Sequence, residues 1–216
     1  MRGKFITIEG QDGAGKSTNI DVIQQFLNNK GIKFVSTREP GGTPLGELLR
    51  DTVLNSDSEF IGDKAELLIM FAARAQHLNQ VILPALERGE WVLSDRFTDA
   101  TYAYQGAGRE LGMDDIQTLE ALVQGTTQPD LTLLLDLPVN LGVSRAGRRS
   151  EPDRFEAQAL EFKTRVRECY LCRAKDQPQR IKVIDASQSL ASVQRAVEET
   201  LEAFYSTIAE ASDDVR

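Results

Sequence analysis

Residues 10–17 read GQDGAGKS, matching G-x-x-x-x-G-K-[ST] at every fixed position, and they directly follow the apolar run Phe5, Ile6 and Ile8. Glycines in such a loop let backbone N–H groups close around phosphate oxygens. Lys16 is then spaced to reach the β- and γ-phosphates of a nucleotide, and the Ser17 hydroxyl to ligate Mg²⁺. The ATP-binding set expected from this spacing is Gly10, Gln11, Asp12, Gly13, Ala14, Gly15, Lys16, Ser17 and Thr18. Two further stretches carry chemistry. Residues 38–44, REPGGTP, mark a shaped loop, either an ordinary turn or the seat of a second substrate. Residues 145–154, RAGRRSEPDR, gather four arginines within ten residues. Alone, such a run reads as a solvated face. Beside a phosphate loop it reads as a lid that closes over transferring phosphates, adds positive charge to the transition state and excludes water.

Phosphoryl transfer asks for positioning and charge neutralisation rather than a strong general base. Lys16, Arg96 and the lid arginines supply cations, while Ser17 and Asp95 are candidates to arrange Mg²⁺ directly or through water. A GTPase switch is poorly supported. Its guanine-reading Asn-Lys-x-Asp follows a late strand, whereas the only Asn-Lys here, Asn29-Lys30, precedes the second strand.

The elements that must position these residues alternate. Strand-like runs are expected at 5–8, 33–37, 91–93, 131–135 and 181–184, several of them ending in acidic residues: Asp95 just beyond the third, Asp136 and Asp185. Helical patterns fill 18–30, 43–54, 64–88, 99–104, 114–123, 138–146, 156–175 and 190–208. Nearly continuous apolar strands separated by helices predict an α/β fold with a five-stranded parallel sheet covered on both faces. Ligands of such sheets bind outside the carboxyl ends of the strands, where the phosphate loop, Asp95-Arg96, Asp136 and Asp185 all fall.

The 216 residues suit a single domain spanning 1–216, with the lid at about 145–155. Hydrophobic residues make up 41% and charged residues 27%, ordinary for a globular chain, and the net charge of −8 argues against nucleic acid along a broad basic face. The first residues lack a signal-peptide apolar region, and no run of about 18 apolar residues could span a bilayer, so a cytoplasmic location without membrane attachment is expected. Cys169 and Cys172 form a lone C-x-x-C in a charged helical stretch far from His77, which reads as two reduced helix cysteines rather than zinc or a redox pair.

Five stretches together carry a resemblance: EGQDGAGKST at 9–18, TREPGGTPLGE at 37–47, FAARAQH at 71–77, SDRF at 94–97 and AYQGAGR at 103–109. In this order, spanning much of the chain, they resemble bacterial thymidylate kinases. The resemblance implies a P-loop NTPase fold, ATP-dependent conversion of dTMP to dTDP with Mg²⁺, and a cytoplasmic homodimer. Residue by residue, Asp12 resembles the loop carboxylate that contacts the sugar 3′-hydroxyl and the acceptor-side arginines. Phe71 resembles the aromatic that stacks on thymine, and Arg74 the arginine that hydrogen-bonds O4. Thr101 and Gln105 match positions at the pyrimidine edge, and Tyr104 the tyrosine that packs where a ribose would carry its 2′-hydroxyl. Arg38 and Arg50 resemble acceptor-phosphate contacts, and Arg96 an arginine beside the phosphates.

Without the resemblance, Phe71 reads as core, because it lies on the apolar face of a long helix; Arg50 and Arg74 would be surface charges, and Tyr104 and Gln105 a helix end. The phosphate loop offers no arginine at 11–14 while the lid offers Arg148, Arg149 and Arg154, which resembles the lid-arginine type. Gly147 stands where relatives often carry another arginine, and Arg149 and Arg154 are the favoured catalytic pair, with Lys16, Asp12 and Arg96. Two rivals stay open: a kinase for another nucleoside monophosphate or deoxynucleoside, and a P-loop regulatory ATPase.

Overall fold

The computed structural model describes residues 2–55, 61–146, 154–155 and 158–213. Five strands, β1 (Phe5–Glu9), β2 (Phe34–Arg38), β3 (Trp91–Asp95), β4 (Leu131–Asp136) and β5 (Ile181–Asp185), form one sheet in the order β2-β3-β1-β4-β5. Every pairing is parallel, with Ile6 beside Leu93 on one side and Leu131 on the other. β1 and β4 are buried almost throughout, which is why their sequences read as continuous apolar runs.

Helices cover both faces. On one, α1 (Lys16–Asn29) and α9 (Leu190–Asp213) press Val22, Ile23, Leu27, Val193, Val197 and Leu201 onto Ile6, Ile8, Leu133 and Leu135. The other face carries α3 (Asp63–His77), α4 (Leu83–Glu87), α6 (Met113–Gln124) and α8 (Leu160–Asp176), with Phe5 and Val92 against Leu78, Ile82 and Leu86. α2 (Pro44–Asn55), α5 (Thr98–Thr101) and α7 (Val139–Ala146) complete the rim where the strands end. Cys169 and Cys172 are free thiols on α8, and burial pushes the Cys169 thiol up to about 11. Among the described residues no helix is long and apolar enough to cross a membrane.

The helical pattern expected over 64–88 is not one α-helix. α3 passes through a π-helical turn, Leu78–Ile82, before α4. Pro84 has no N–H to give the carbonyl four residues back, and its ring would crowd that carbonyl; a widened turn just ahead of it accommodates both. A second π-helical turn, Tyr102–Gly108, extends α5 where the sequence predicts an α-helix ending at 104. Such turns recur at functional sites, and this one carries Tyr104 and Gln105.

Candidate functional site

The phosphate loop joins β1 to α1. Gly15, with φ of 92°, caps the helix in a left-handed conformation, so α1 starts at Lys16, two residues before the expected position. Gly13 (φ 82°) runs so close to α7 that a Cβ would lie 2.4 Å from the Gly142 carbonyl oxygen. Only glycine meets both demands. The helix N-terminus and its free N–H groups therefore face the cleft lined by Asp12, Gly13, Gly15, Lys16, Ser17, Arg38, Arg50, Asp95 and Arg96.

Positive charge crowds this cleft. The Lys16 ammonium donates to the Gly10 carbonyl at 3.1 Å and lies 3.8 Å from Asp12 Oδ1. Burial, then repulsion from Arg96, pushes the Lys16 ammonium below the ordinary lysine range. Burial, then repulsion from Arg38 and Arg96, lowers Arg50 in the same way. Arg96 adopts φ of 70°, an uncommon conformation for a residue with a Cβ, and so turns its side chain back across the strand ends. Its Nη2 donates to Asp12 Oδ1 at 2.8 Å and to Tyr104 Oη at 3.1 Å. Burial alone would raise the Asp12 carboxyl, but Arg96 and Lys16 overcome it and hold it at about 2. Asp95 Oδ1 is buried without a hydrogen-bond partner among the described residues, and Asp95 shares the cleft with Ser17.

A second cleft continues from Asp12, Arg50 and Arg96 toward α3, walled by Leu54, Met70, Phe97, Ala100, Tyr104 and Phe155 and closed by Arg74 and Gln105. Arg74 is 2% exposed. Its Nε donates to Glu39 Oε2 at 2.7 Å and its Nη2 to Thr101 Oγ1 at 2.9 Å, while the guanidinium lies 4.8 Å from the Phe71 ring centre and 5.1 Å from that of Phe97. Its Nη1 has no partner among the described residues. Gln105 gives its amide N–H to Glu66 Oε1 at 2.9 Å, and its carbonyl Oε1 likewise has no partner among the described residues. Two residues lining this cleft, Arg74 and Gln105, thus each hold one buried polar atom without a partner among the described residues, between apolar walls and beside a cationic phosphate cleft.

The family model for thymidylate kinase matches residues 8–197. The thymidylate kinase of Teredinibacter turnerae is 55% identical over 204 residues, covering 94% of this chain and all of the relative. That of Pseudomonas entomophila is 55% identical, covering 93% of this chain and 96% of the relative. The crystal structure of thymidylate kinase from Ehrlichia chaffeensis superposes with a TM-score of 0.77 at 32% identity, covering 94% of this chain and 99% of the other. The chain belongs to the thymidylate kinase family.

Within that thymidylate kinase frame, the structure redistributes several expected roles. Phe71 does not line the cleft: it is buried with Leu67, Tyr102 and Ile116 and supports Arg74 from behind. Met70, one residue earlier, lines it instead. The helical period, which makes Phe71 core, outweighs the resemblance at this position. Thr101 is fully buried and its hydroxyl accepts from Arg74, so it orients the arginine rather than facing the cleft. Arg154 does not join the phosphate-facing cations. Its Nη1 lies 2.9 Å from Glu66 Oε2 and its Nη2 donates to the Ile61 carbonyl, because the buried Glu66 carboxylate draws two guanidinium groups, Arg109 and Arg154. Arg148, Arg149 and the lid between 147 and 153 lie outside the described residues.

In the phosphate loop, the Gly10 carbonyl accepts from Lys16, Gln11 donates to the Lys163 carbonyl, and Ala14 is core. Thr18 is exposed on α1. Asp136, bidentate to Arg167, and Asp185, accepting from Ser187 and Gln188, are structural strand-end acids. Glu39, Glu66, Met70, His77 and Arg109 were not expected at the site. His77 lies 3.0 Å from Glu39 Oε1 and 2.7 Å from Thr37 Oγ1, completing the chain that holds Arg74.

Glu9 ends β1 at zero exposure, accepting from the Phe97 N–H and the Tyr170 hydroxyl at 2.7 Å each. Burial, then Asp99, pushes its carboxyl from 4.5 up to about 8. The folded state therefore holds a proton that the unfolded state releases above the ordinary carboxylate range. Its contribution is whole below about pH 4.5 and fades as pH rises to about 8. Urea unfolding across this window should show stability falling by up to about 1.4 kcal/mol per pH unit. Glu9→Gln should flatten that dependence, and a parallel curve would show that Glu9 does not cause it.

Proposed function

We propose that this chain transfers the γ-phosphoryl group of ATP to dTMP, forming dTDP and ADP. The observation that carries the reading is a pair of buried atoms, on two residues lining the apolar cleft, that have no partner among the described residues: Arg74 Nη1, a donor, and Gln105 Oε1, an acceptor. Leaving such groups unpaired costs about 1–3 kcal/mol each. A base with a carbonyl next to a ring N–H satisfies both, as thymine does with O4 and N3–H. Cytosine, presenting an amino group and a bare ring nitrogen, satisfies neither.

With the base there, the monophosphate lies toward Arg38, Arg50 and Arg96, and ATP phosphates lie on the loop and Lys16. A dTMP phosphate oxygen attacks the γ-phosphorus in line. The bond from that phosphorus to the β–γ bridging oxygen breaks, and ADP leaves with the electron pair. Lys16, the loop N–H groups and Arg96 neutralise charge on the transferring group, work that needs positioning more than proton transfer. Asp12, tied to Arg96 and Tyr104, holds the acceptor-side arginine and is placed for the sugar 3′-hydroxyl. The lid arginine Arg149 is proposed to complete the charge on closure, while Arg154 stays on Glu66.

The donor set fits Mg²⁺: a hydroxyl, on Ser17, and a buried carboxylate oxygen without a partner among the described residues, on Asp95, beside the phosphate cradle. Among the described residues no group of three or more acidic, histidine or cysteine side chains could hold a metal ion unaided. That suits an ion bound mainly by phosphates and water, which when bound would polarise the phosphate oxygens. The family reading also carries a homodimer in the cytoplasm acting on ATP and dTMP without nucleic acid. With γ-³²P-labelled ATP, Mg²⁺ and dTMP, label should enter dTDP one-for-one with ADP. ADP formed without labelled dTDP would replace transfer by hydrolysis.

A further inference from the structure

Glu66 lies on α3 behind the cleft and is completely buried. Its two oxygens face different partners. Oε2 lies 2.9 Å from Arg154 Nη1 and 3.3 Å from Arg109 Nη2. Oε1 accepts from Gln105 Nε2 at 2.9 Å, with Arg109 Nε at 3.4 Å. A carboxylate between guanidinium groups only accepts, so the Gln105 amide has one permitted orientation: N–H toward Glu66 and carbonyl toward the remaining space. A glutamine amide without such a partner can turn over and exchange its donor and acceptor.

We infer that Glu66 is a positioning residue that sets the hydrogen-bond polarity of the base cleft, making Gln105 an acceptor and so restricting the acceptor nucleotide to pyrimidines with a ring N–H. The inference rests on the base lying against Arg74 and Gln105. Glu66→Gln reverses the orientation. Arg109 and Arg154 can only donate, so they keep the carbonyl of the introduced amide on their side. The NH₂ group of that amide then faces Gln105 and draws the Gln105 carbonyl inward, turning the Gln105 NH₂ toward the base.

The test compares kcat/KM for dTMP and for 5-methyl-dCMP, which differ only at the base edge, in wild type and Glu66→Gln. A ratio of two substrates on one preparation is independent of the fraction folded. The dTMP preference should fall by about 30-fold or more, through a higher KM for dTMP and a lower KM for 5-methyl-dCMP. Should Glu66→Gln fail to fold, Glu66→Asp, which withdraws the carboxylate from Gln105, should lower the same ratio by a smaller factor. If both substrates weaken together and the ratio holds, Glu66 is only structural and the inference is overturned. Wild type that does not prefer dTMP over 5-methyl-dCMP overturns the base-edge reading itself.

Discussion

Lys16→Ala should lower turnover of ATP and dTMP by roughly a hundred- to a thousandfold while leaving the fold intact. Removing one preorganised group aimed at developing charge has effects of that size. Lys16 already sits where burial and Arg96 disfavour its charge, so its ammonium contributes little to the fold and should gain most when phosphate oxygens replace the Gly10 carbonyl. The unfolding midpoint should therefore stay near that of wild type. Near-normal turnover in a folded variant would remove the phosphate loop from the mechanism.

Arg74→Ala should do two things at once. It leaves Glu39, 5% exposed, without its guanidinium partner at 2.7 Å. Breaking a buried pair from one side destabilises by about 3–5 kcal/mol. It also removes the donor proposed for the base edge, so kcat/KM for dTMP should fall by about a hundredfold or more. The double variant Arg74→Ala, Glu39→Gln separates the effects: neutralising Glu39 should restore part of the stability and none of the dTMP affinity. Recovery of both together would show that Arg74 only supports the fold.

The strands and the phosphate loop were legible because their signals are local. β1 and β4 are buried on both faces and read as apolar runs, and the loop glycines stand beside the lysine and serine they serve. The two π-helical turns were not legible, since apolar spacing does not separate a 3.6-residue turn from a widened one; Pro84 was the only sign of the first. The closed end of the cleft was hidden because its partners are distant in sequence, Arg74 with Glu39 at 35 positions and Gln105 with Glu66 at 39. One sign existed. Glu66 shares an α3 face with Met70 and Arg74, four and eight residues on, and a carboxylate on a stripe that also holds Leu67 and Phe71 must have partners when buried. The same period placed Phe71 in the core, where the structure puts it, and Met70, one residue earlier, lines the cleft.

The most direct test is kcat/KM with ATP and Mg²⁺ for dTMP, dUMP, UMP, dCMP and AMP offered separately. A cleft with one fixed donor and one fixed acceptor should favour dTMP and turn over dCMP and AMP at least about a thousandfold less efficiently. Equal turnover of dCMP or AMP would contradict the assignment of Arg74 and Gln105 as readers of the base.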